Sequence, residues 1–312
     1  MSATISPFSD LRYGMRRVCQ VWEVPRSSVY ARRQGGSGSA SLSEQERASP
    51  AIHGGPKPAR RGPKPLVPDA EVLELIQADL KASPFIEEGH RKVWARIRFG
   101  QKIRVGRHRI LRIMRENLLL SPHRNPQGEP NLHDGRITTD QPNEMWGTDG
   151  TKVMVVEEGL VWVFAAVEHW NAEVVGWHVT KDGDRFNALE PIRMGLKKHY
   201  GRVAAGIAAG LAVRNDHGCQ YTSDHFGNEL KLWGIHQSFG FVGEPQTDGV
   251  AERFFKTLKQ QVIRGRIFQT LEDLHKAVAT FVDHYNREWH LEKLHWRSPD
   301  EARAEWLARS AA

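Results

Sequence analysis

Cysteine is scarce in this chain: its 312 residues include two, Cys19 and Cys219. Two cysteines exclude a disulfide framework and a four-cysteine zinc site, and they are typical of a reducing cytoplasm. The sequence also has no apolar run of roughly 18 residues, and its start lacks the apolar segment of a signal peptide. We therefore expect a cytoplasmic protein that does not contact a membrane.

Acidic residues are missing from one long basic segment. Between Arg91 and Arg115 there are ten lysines and arginines and no acid. A solvated helix face mixes both signs, so this bias favours a nucleic-acid surface. The net charge of +7 and the pI of about 9.5 also favour a polyanionic partner. The DNA contacts that we predict in this segment are Arg91, Lys92, Arg107, Arg109 and Arg112.

A second basic segment lies in a stretch rich in glycine, serine and proline. It runs from Lys57 to Pro65 and includes Arg60 and Arg61. Basic arms of this composition bind in the DNA minor groove, so we predict contacts at these two arginines. The alternative is a solvated basic linker.

Composition and periodicity divide the chain into six segments. We predict a helical, helix-turn-helix-like segment at 1–34, a flexible basic linker at 35–66, a helix-turn-helix domain at 67–124, a connector at 125–142, an α/β core at 143–265 and a helical region at 266–312. In the second helical segment, Asp69 is the expected cap of the first helix, and helices at His90–Phe99 and Gly106–Leu118 follow. This arrangement places a helix in the DNA major groove.

The core segment predicts a mixed sheet with helices on its faces. Alternating apolar residues predict strands at Glu144–Val156, Leu160–Val167, Glu173–Val179, Leu211–Arg214 and Ile235–Phe239. Helical spacing predicts helices at 185–200, from Ser223 through Trp233, from about Asp248, at 270–285 and at 299–308. Three meandering strands followed by alternating helices and strands make this an α/β fold.

Three acids on three different elements form the main functional signal. Asp149 lies among β-formers, Asp216 lies where a strand ends, and Glu252 lies in the first turns of a helix. Glu252 follows Asp216 by 36 positions (252 − 216). Carboxylates are the ligands that Mg²⁺ prefers, and paired Mg²⁺ ions activate phosphodiester chemistry. The three acids therefore predict one two-metal phosphoryl-transfer site.

Lys256 and Lys259 follow Glu252 at helical spacing, so all three share one helix face. One reading is a Glu–Lys helix pair worth a few tenths of a kcal/mol. The reading that we favour is a basic stripe that holds DNA phosphates beside the metal site.

The sequence motifs around these acids resemble those of a known family. Trp146 to Thr151 (WGTDGT), Asp216 to Ser223 (DHGCQYTS) and Glu244 to Lys259 (EPQTDGVAERFFKTLK) look like the catalytic core of bacterial insertion-sequence transposases. The likeness is to the second reading frame of elements that encode transposase in two overlapping frames, within the DDE retroviral-integrase superfamily. Tyr285-Asn286-Arg287 and the later Ser298-Pro299 resemble its closing motif.

This resemblance implies an RNase H-like core in which Asp149, Asp216 and Glu252 bind two Mg²⁺ ions, with Mn²⁺ as a substitute. It implies cleavage of double-stranded DNA at the ends of an element and transfer of the freed 3′ end to target DNA. It also implies self-association and a bacterial cytoplasm in which the protein accompanies the nucleoid. Tyr221 and Ser223 are then expected to order the loop beside Asp216 rather than to act as nucleophiles.

Some neighbouring residues depart from the family pattern. Arg214-Asn215 stands where a His-Ser pair is usual, Asp248-Gly249 where Asn is common, and Trp289 precedes His290 in place of proline. These departures put contacts with the DNA ends in doubt more than metal binding.

Several alternatives stay open at this stage. His217, Cys219 and His225 suggest zinc, but their spacing is wrong for a structural site. Asp224 and Asp248 are other acids near the site, and both suit a helix start. A DNA-binding regulator with a silent core and a nuclease without joining activity are the other functional hypotheses. The end sequence, target preference, subunit number and dependence on a frameshift fusion are not encoded in any motif.

Overall fold

The computed structural model describes residues 15–25, 66–121, 139–240 and 249–310. The chain divides into two units, Met1–Lys64 and Pro65–Ala312. In the first unit, helix α1 spans Met15–Val21 and buries Cys19. The predicted helix after Pro25, the predicted contacts at Arg60 and Arg61, and the predicted cap at Asp248 lie outside the described residues.

Three helices open the second unit and share one hydrophobic core. They are α2 (Asp69–Ala82), α3 (His90–Ala95), which continues as a π turn at Arg96–Gly100, and α4 (Arg107–Glu116). This core includes four fully buried side chains, those of Ile76, Val93, Ile97 and Ile110. The helical spacing of the sequence therefore predicted the three helices and their inner faces correctly.

The predicted cap of α2 is wrong. Pro68 holds the capping position and makes no side-chain cap, while Asp69 is the first residue of the helix. Asp69 instead accepts hydrogen bonds from Arg109 (2.7 Å) and from Arg112 on α4. A carboxylate in a first helical turn is already favourable, and here it also fixes α2 to α4.

The rest of the second unit is a mixed sheet with helices on both faces. Its strands are β1 (Met145–Val155), β2 (Gly159–Glu168), β3 (Val174–Thr180), β4 (Ala212–Asn215) and β5 (His236–Phe239). Its helices are α5 (Arg185–Tyr200), α6 (Asp224–Leu232), α7 (Gly249–Leu258), continued by a π turn at Lys259–Ile263, α8 (Leu271–Glu288) and α9 (Pro299–Ser310), with a short 3₁₀ turn at Glu292–Leu294. No described helix is both long and apolar enough to cross a membrane.

The strand order is β3-β2-β1-β4-β5. Strands β1, β2 and β3 form an antiparallel meander, and β4 and β5 run parallel to β1. This arrangement confirms the predicted mixed α/β, RNase H-like core.

The two faces of β1 belong to different hydrophobic cores. Trp146 packs in a cluster that includes residues of α5 and α6, whereas Val153 and Val155 pack with residues of α7 and α8. Alternation along a strand therefore sends every odd-numbered side chain of β1 towards the α7 layer. Asp149 is one of them.

The closing motif ties α8 and α9 to the sheet. The Asn286 side chain donates to the Val174 carbonyl and accepts from the Val174 N–H, both at 2.9 Å. Arg303 of α9 pairs with the fully buried carboxylates of Glu168 and Glu173. These contacts hold α8 and α9 to the sheet near β2 and β3.

Burial alone would raise the pKa of Glu173, but its contacts with His199, Arg303 and Lys198 lower that pKa well below the ordinary value.

Candidate active site

Asp149 occupies the middle of β1, opposite Ala165 of β2. Its Oδ1 accepts a hydrogen bond from the Gly150 N–H at 2.7 Å. Gly150 is required here because an added Cβ would lie 2.6 Å from the Phe164 ring. The ring thus covers β1 beside Asp149 on the opposite face.

Asp216 directly follows β4, at the carboxyl edge of the sheet. Gly147 of β1 pairs with Arg214 of β4 in parallel register. Asp149 and Asp216 each lie two residues beyond this last pair (149 − 147 and 216 − 214), which brings both acids to the same part of the sheet, and the charge of Asp216 acts on Asp149. Ligand sites of α/β sheets lie at this edge.

The turn after Asp216 is tightly organised. Asp216 Oδ1 accepts from the Gly218 N–H at 2.9 Å, and the Gly218 carbonyl accepts from the Tyr221 N–H at 2.9 Å. Ser223 caps α6 by accepting from the Phe226 N–H, as predicted. These contacts give Tyr221 and Ser223 a role in shaping the loop.

Glu252 lies in the first turn of α7, as predicted, and is exposed. It shares a cleft of about 690 Å³ with Asp149 and with basic, amide and apolar side chains. The complete lining is Asp149, Lys152, Glu252, Phe255, Lys256, Lys259, Gln260, Ile263 and Arg264. Within the described ranges, no three histidine, cysteine, aspartate or glutamate side chains form a ready metal-binding group.

The pKa of Asp149 is raised to about 6. Burial is the main cause; the negative charges of Asp216 and Glu252 raise the pKa further, while the Gly150 N–H and the Lys259 charge lower it. The three predicted acids therefore share one electrostatic environment, although Asp216 does not line the cleft itself.

The cleft is more basic than the sequence indicated. Lys256 and Lys259 were predicted there, whereas Lys152 and Arg264 were not. Arg264 follows the π turn, twelve positions after Glu252 (264 − 252), where regular helical spacing would put it about 120° away from Glu252, so periodicity gave no signal for it. A π turn is often found at functional sites, and this one shifts the register of the lysine-bearing helix.

Several predicted DNA contacts in the helical region have acidic partners. Arg91 pairs with Glu292 at 3.0 Å and Arg107 pairs with the same carboxylate group at 3.6 Å. Arg109 and Arg112 pair with Asp69, and Arg109 also donates to the Val67 carbonyl at 2.6 Å. These arginines therefore help to hold the region together.

Lys92 has a different environment. Its ammonium group lies over the Trp289 ring and 3.7 Å from Glu88, and its side chain is 16% exposed. Burial lowers the pKa of Lys92 well below its ordinary value. This position argues for packing between the helical region and the closing motif, rather than for the predicted contact with DNA.

One glutamine joins the helical region to the active-site helix. Gln261, in the π turn after α7, accepts from the Ile86 N–H and donates to the Ile86 carbonyl, both at 2.9 Å. Phe85 beside it packs edge-on against Trp289, with ring centroids 4.8 Å apart. The loop between α2 and α3 is thus fixed to the element that carries Glu252.

Comparison with known proteins finds similarity to integrases and transposases. A family model described as integrase core domain matches residues 233–299. The chain is 28% identical over 241 residues to "Transposase InsD for insertion element IS2A/D/F/H/I/K" of Escherichia coli, covering 75% of this chain and 78% of that protein. The same identity links it to the InsD transposase of element IS2-9 of E. coli strain K12, covering 75% and 76%.

The predicted resemblance to insertion-sequence transposases is confirmed. The matched relatives are transposases, the enzyme class that the resemblance implies. Among solved structures, the catalytic core domain of BIV integrase is similar with a TM-score of 0.40 at 20% identity, covering 55% of this chain and 99% of that one. The strand order described above, rather than this likeness, carries the assignment of the fold.

One departure from the transposase pattern, Arg214-Asn215, lies inside the structure. Arg214 and Asn215 are both buried in β4. Arg214 donates to the Ser238 hydroxyl of β5 at 3.1 Å, and Asn215 accepts from the Gln237 amide at 3.3 Å. These two residues therefore join β4 to β5, and neither lines the cleft.

The zinc alternative has little geometric support. His217 stacks on Phe239, His225 lies against Phe186, and the exposed Cys219 thiol contacts the Gln220 amide oxygen. The three side chains thus have three different partners. Asp224, the other described acid near the site, lies in the first turn of α6 as expected.

Proposed function

We propose that this chain is a DDE transposase that binds the ends of an insertion element and transfers the cleaved strand to target DNA. Asp149, Asp216 and Glu252 act as ligands of two Mg²⁺ ions, for which Mn²⁺ substitutes. The observation that supports the proposal is that Asp149 and Glu252 line one basic cleft and that the charges of Asp216 and Glu252 both act on Asp149.

The donor set suits a hard divalent cation. Asp149 and Asp216 each use one carboxylate oxygen to accept a backbone N–H. Their second oxygens have no hydrogen bond within the described part of the chain. Burial is the main cause of the raised pKa of Asp149, and repulsion from the negative charges of Asp216 and Glu252 raises that pKa further. A bound cation would relieve this repulsion, and oxygen ligands are those that Mg²⁺ prefers.

When bound, paired Mg²⁺ ions activate the attacking oxygen and stabilise the leaving oxygen of a phosphodiester. The residues of the chain position the reactants. Lys256 and Lys259 hold DNA phosphates in the cleft, and the newly found Lys152 and Arg264 extend this basic surface. In the cleavage step water attacks the phosphorus at the element end, and the 3′ oxygen leaves as a 3′-hydroxyl. In the transfer step that hydroxyl attacks a phosphorus of target DNA and displaces the 3′ oxygen of the target strand. Either attack leaves no covalent bond between protein and DNA.

We further propose a division of labour along the chain. The segments at 1–34 and 67–124 bind DNA, the segments at 35–66 and 125–142 connect the domains, and the core at 143–265 performs the chemistry with support from 266–312. The protein acts as a dimer or a larger multimer on paired element ends. Its DNA-binding surface includes the exposed basic residues of the helical region.

The test is strand transfer with an oligonucleotide that carries the terminal repeat of the element. Asp149→Asn, Asp216→Asn and Glu252→Gln should each abolish Mg²⁺-dependent cleavage and joining, while binding to the DNA stays within about twofold because phosphate contacts dominate affinity. Asp224→Asn is the matched control, because Asp224 is an exposed acid at a helix start near the site.

Each result has one interpretation. Full activity in any one of the three variants, or loss of activity in Asp224→Asn alone, would contradict the site assignment. Binding of wild-type protein without cleavage would support a regulator with a silent core, and cleavage without a joined product would support a nuclease.

A further inference from the structure

Two exposed aromatic rings stack at the carboxyl ends of β4 and β5. The rings belong to His217, the neighbour of Asp216, and to Phe239, the last residue of β5. Their centroids are 5.2 Å apart and their planes differ by 28°. His217 is exposed, and Phe239 keeps 40% of its surface in solvent.

The backbone around the two rings is well fixed. Phe239 pairs with Asn215 in the parallel register of β4 and β5, and the Gly240 N–H donates to the Asn215 carbonyl at 3.0 Å. Gln237 donates to the Tyr221 carbonyl at 2.8 Å, which ties β5 to the turn after Asp216. Phe239 therefore stands on a strand, and His217 stands on a turn that a hydrogen bond holds to that strand.

The location of the rings gives them a functional context. The carboxyl ends of parallel strands are where α/β sheets bind ligands. Asp216 connects the rings with the basic cleft: its chain neighbour is His217, and its charge acts on Asp149, which lines the cleft. An exposed aromatic face beside such an edge suits a flat apolar ligand, and every nucleobase has a face that stacks on aromatic side chains.

We propose that His217 and Phe239 form a stacking platform for an unpaired nucleobase of the DNA strand whose phosphates lie in the basic cleft. The proposal rests on the proposed function, because it needs DNA in that cleft. The platform would hold the strand open next to the metal ligands and keep the reacting phosphate in place. Stacking tolerates any base, so this contact adds affinity without sequence preference.

A second His–Phe pair in the core provides the matched control. Phe186 of α5 and His225 of α6 have ring centroids 4.6 Å apart, and Phe186 is 49% exposed. Their planes are tilted by 53°, and the Arg185 guanidinium lies over the Phe186 ring at 4.9 Å. Phe186 resembles Phe239 in exposure, whereas His225 is only partly exposed and the tilted rings offer no open stack.

The experiment uses the full chain in EDTA and a short oligodeoxythymidylate that carries one 2-aminopurine, whose fluorescence falls on stacking. Wild-type protein should quench the probe. Phe239→Ala and His217→Ala should each lose most of the quench, and Phe239→Ala should bind about fivefold more weakly, as expected for one lost base stack. Phe239→Trp should retain the quench, and Phe186→Ala should resemble wild type.

The outcomes separate stacking from folding and from catalysis. Far-ultraviolet circular dichroism and melting temperatures check the fold of each variant, and the exposed His217 provides a variant that folding should tolerate. A quench that persists in both platform variants, or an equal loss in Phe186→Ala, would overturn the platform. The quench should survive in Asp149→Asn. Because the assay contains no metal, a negative result leaves the strand-transfer test of the proposed function unaffected.

Discussion

The cations of the helical region and the cations of the cleft have the same chemistry but different surroundings. In the helical region, six of the ten lysines and arginines pair with described acids: Arg91, Lys92, Arg96, Arg107, Arg109 and Arg112. In the cleft, Lys152, Lys256, Lys259 and Arg264 form no ion pair with any described residue. Even Glu252 and Lys256, at ideal helical spacing, do not pair.

Whether a lysine or arginine is already paired with an acid affects how easily it can bind a phosphate. The acids that neutralise the helical region come from outside the basic segment, such as Asp69, Asp79 and Glu292. A cation already paired must lose that partner before it binds phosphate, whereas a solvated cation needs only to release counterions. We therefore expect the cleft to contribute more to DNA affinity per basic residue than the helical region does.

The largest expected effect is on folding. Arg96 pairs with both Asp79 and Glu88 at 2.7 Å, and the two carboxylates are almost fully buried. Burial lowers the pKa of Arg96, but its bonds to these acids outweigh burial and raise that pKa. Arg96→Met should lower the free energy of unfolding by about 3 kcal/mol, because it leaves buried charges unpaired. Chemical denaturation measures this change.

Arg98→Met is the control for Arg96, since Arg98 has no ion pair with a described residue and is partly exposed. Its effect on the free energy of unfolding should stay within about 0.5 kcal/mol. Equal losses of stability in the two variants would contradict the prediction that the buried ion pairs of Arg96 stabilise the fold.

The next largest effect concerns the cleft. Each phosphate contact contributes about −0.9 to the slope of log affinity against log salt. Lys259→Gln combined with Arg264→Gln should flatten this slope by roughly two units and weaken DNA binding at low salt. Arg266→Gln is the control, because Arg266 is exposed two positions further on and does not line the cleft. An equal change with Arg266→Gln would remove Arg264 from the DNA interface.

A smaller effect tests the helical region. Lys102 and Arg104 are exposed and unpaired with any described acid, whereas Arg91 and Arg107 share Glu292. Lys102→Gln with Arg104→Gln should flatten the salt slope more than Arg91→Gln with Arg107→Gln. Salt titration of DNA binding by fluorescence anisotropy measures both pairs. The opposite order would favour the original prediction that Arg91 and Arg107 contact DNA.

The smallest effect is expected at Lys256. Because it has no ion pair with Glu252, Lys256→Gln should change the free energy of unfolding by less than about 0.5 kcal/mol. The same variant should flatten the salt slope by about one unit. If Lys256→Gln lowers the free energy of unfolding clearly but leaves the salt slope unchanged, the Glu252–Lys256 helix pair is the better interpretation.

Local periodicity predicted most of the core. The predicted helix at 185–200 has the observed bounds, and each predicted strand lies within one or two residues of the observed one. Asp149, Asp216 and Glu252 occupy the predicted elements, because an acid among β-formers, at a strand end or at a helix start is readable from its neighbours. Their role as metal ligands stays a prediction.

Contacts between distant segments were beyond the reach of the sequence. Asp69 was predicted to cap α2, but Arg109 and Arg112, some forty positions away, bind its carboxylate. The π turns at Arg96–Gly100 and Lys259–Ile263 also had no local signal, since they depend on packing between helices. Arg264 was missed for the same reason.

The Gln261–Ile86 contact has a mechanical consequence. From Gly249 to Ile263 the chain is continuously helical, a rod of about 22 Å, with Glu252 at one end and Gln261 at the other. A rod transmits a push at one end as a displacement at the other. If the helical region binds DNA as proposed, a shift of the loop at Ile86 would therefore displace Glu252 as well.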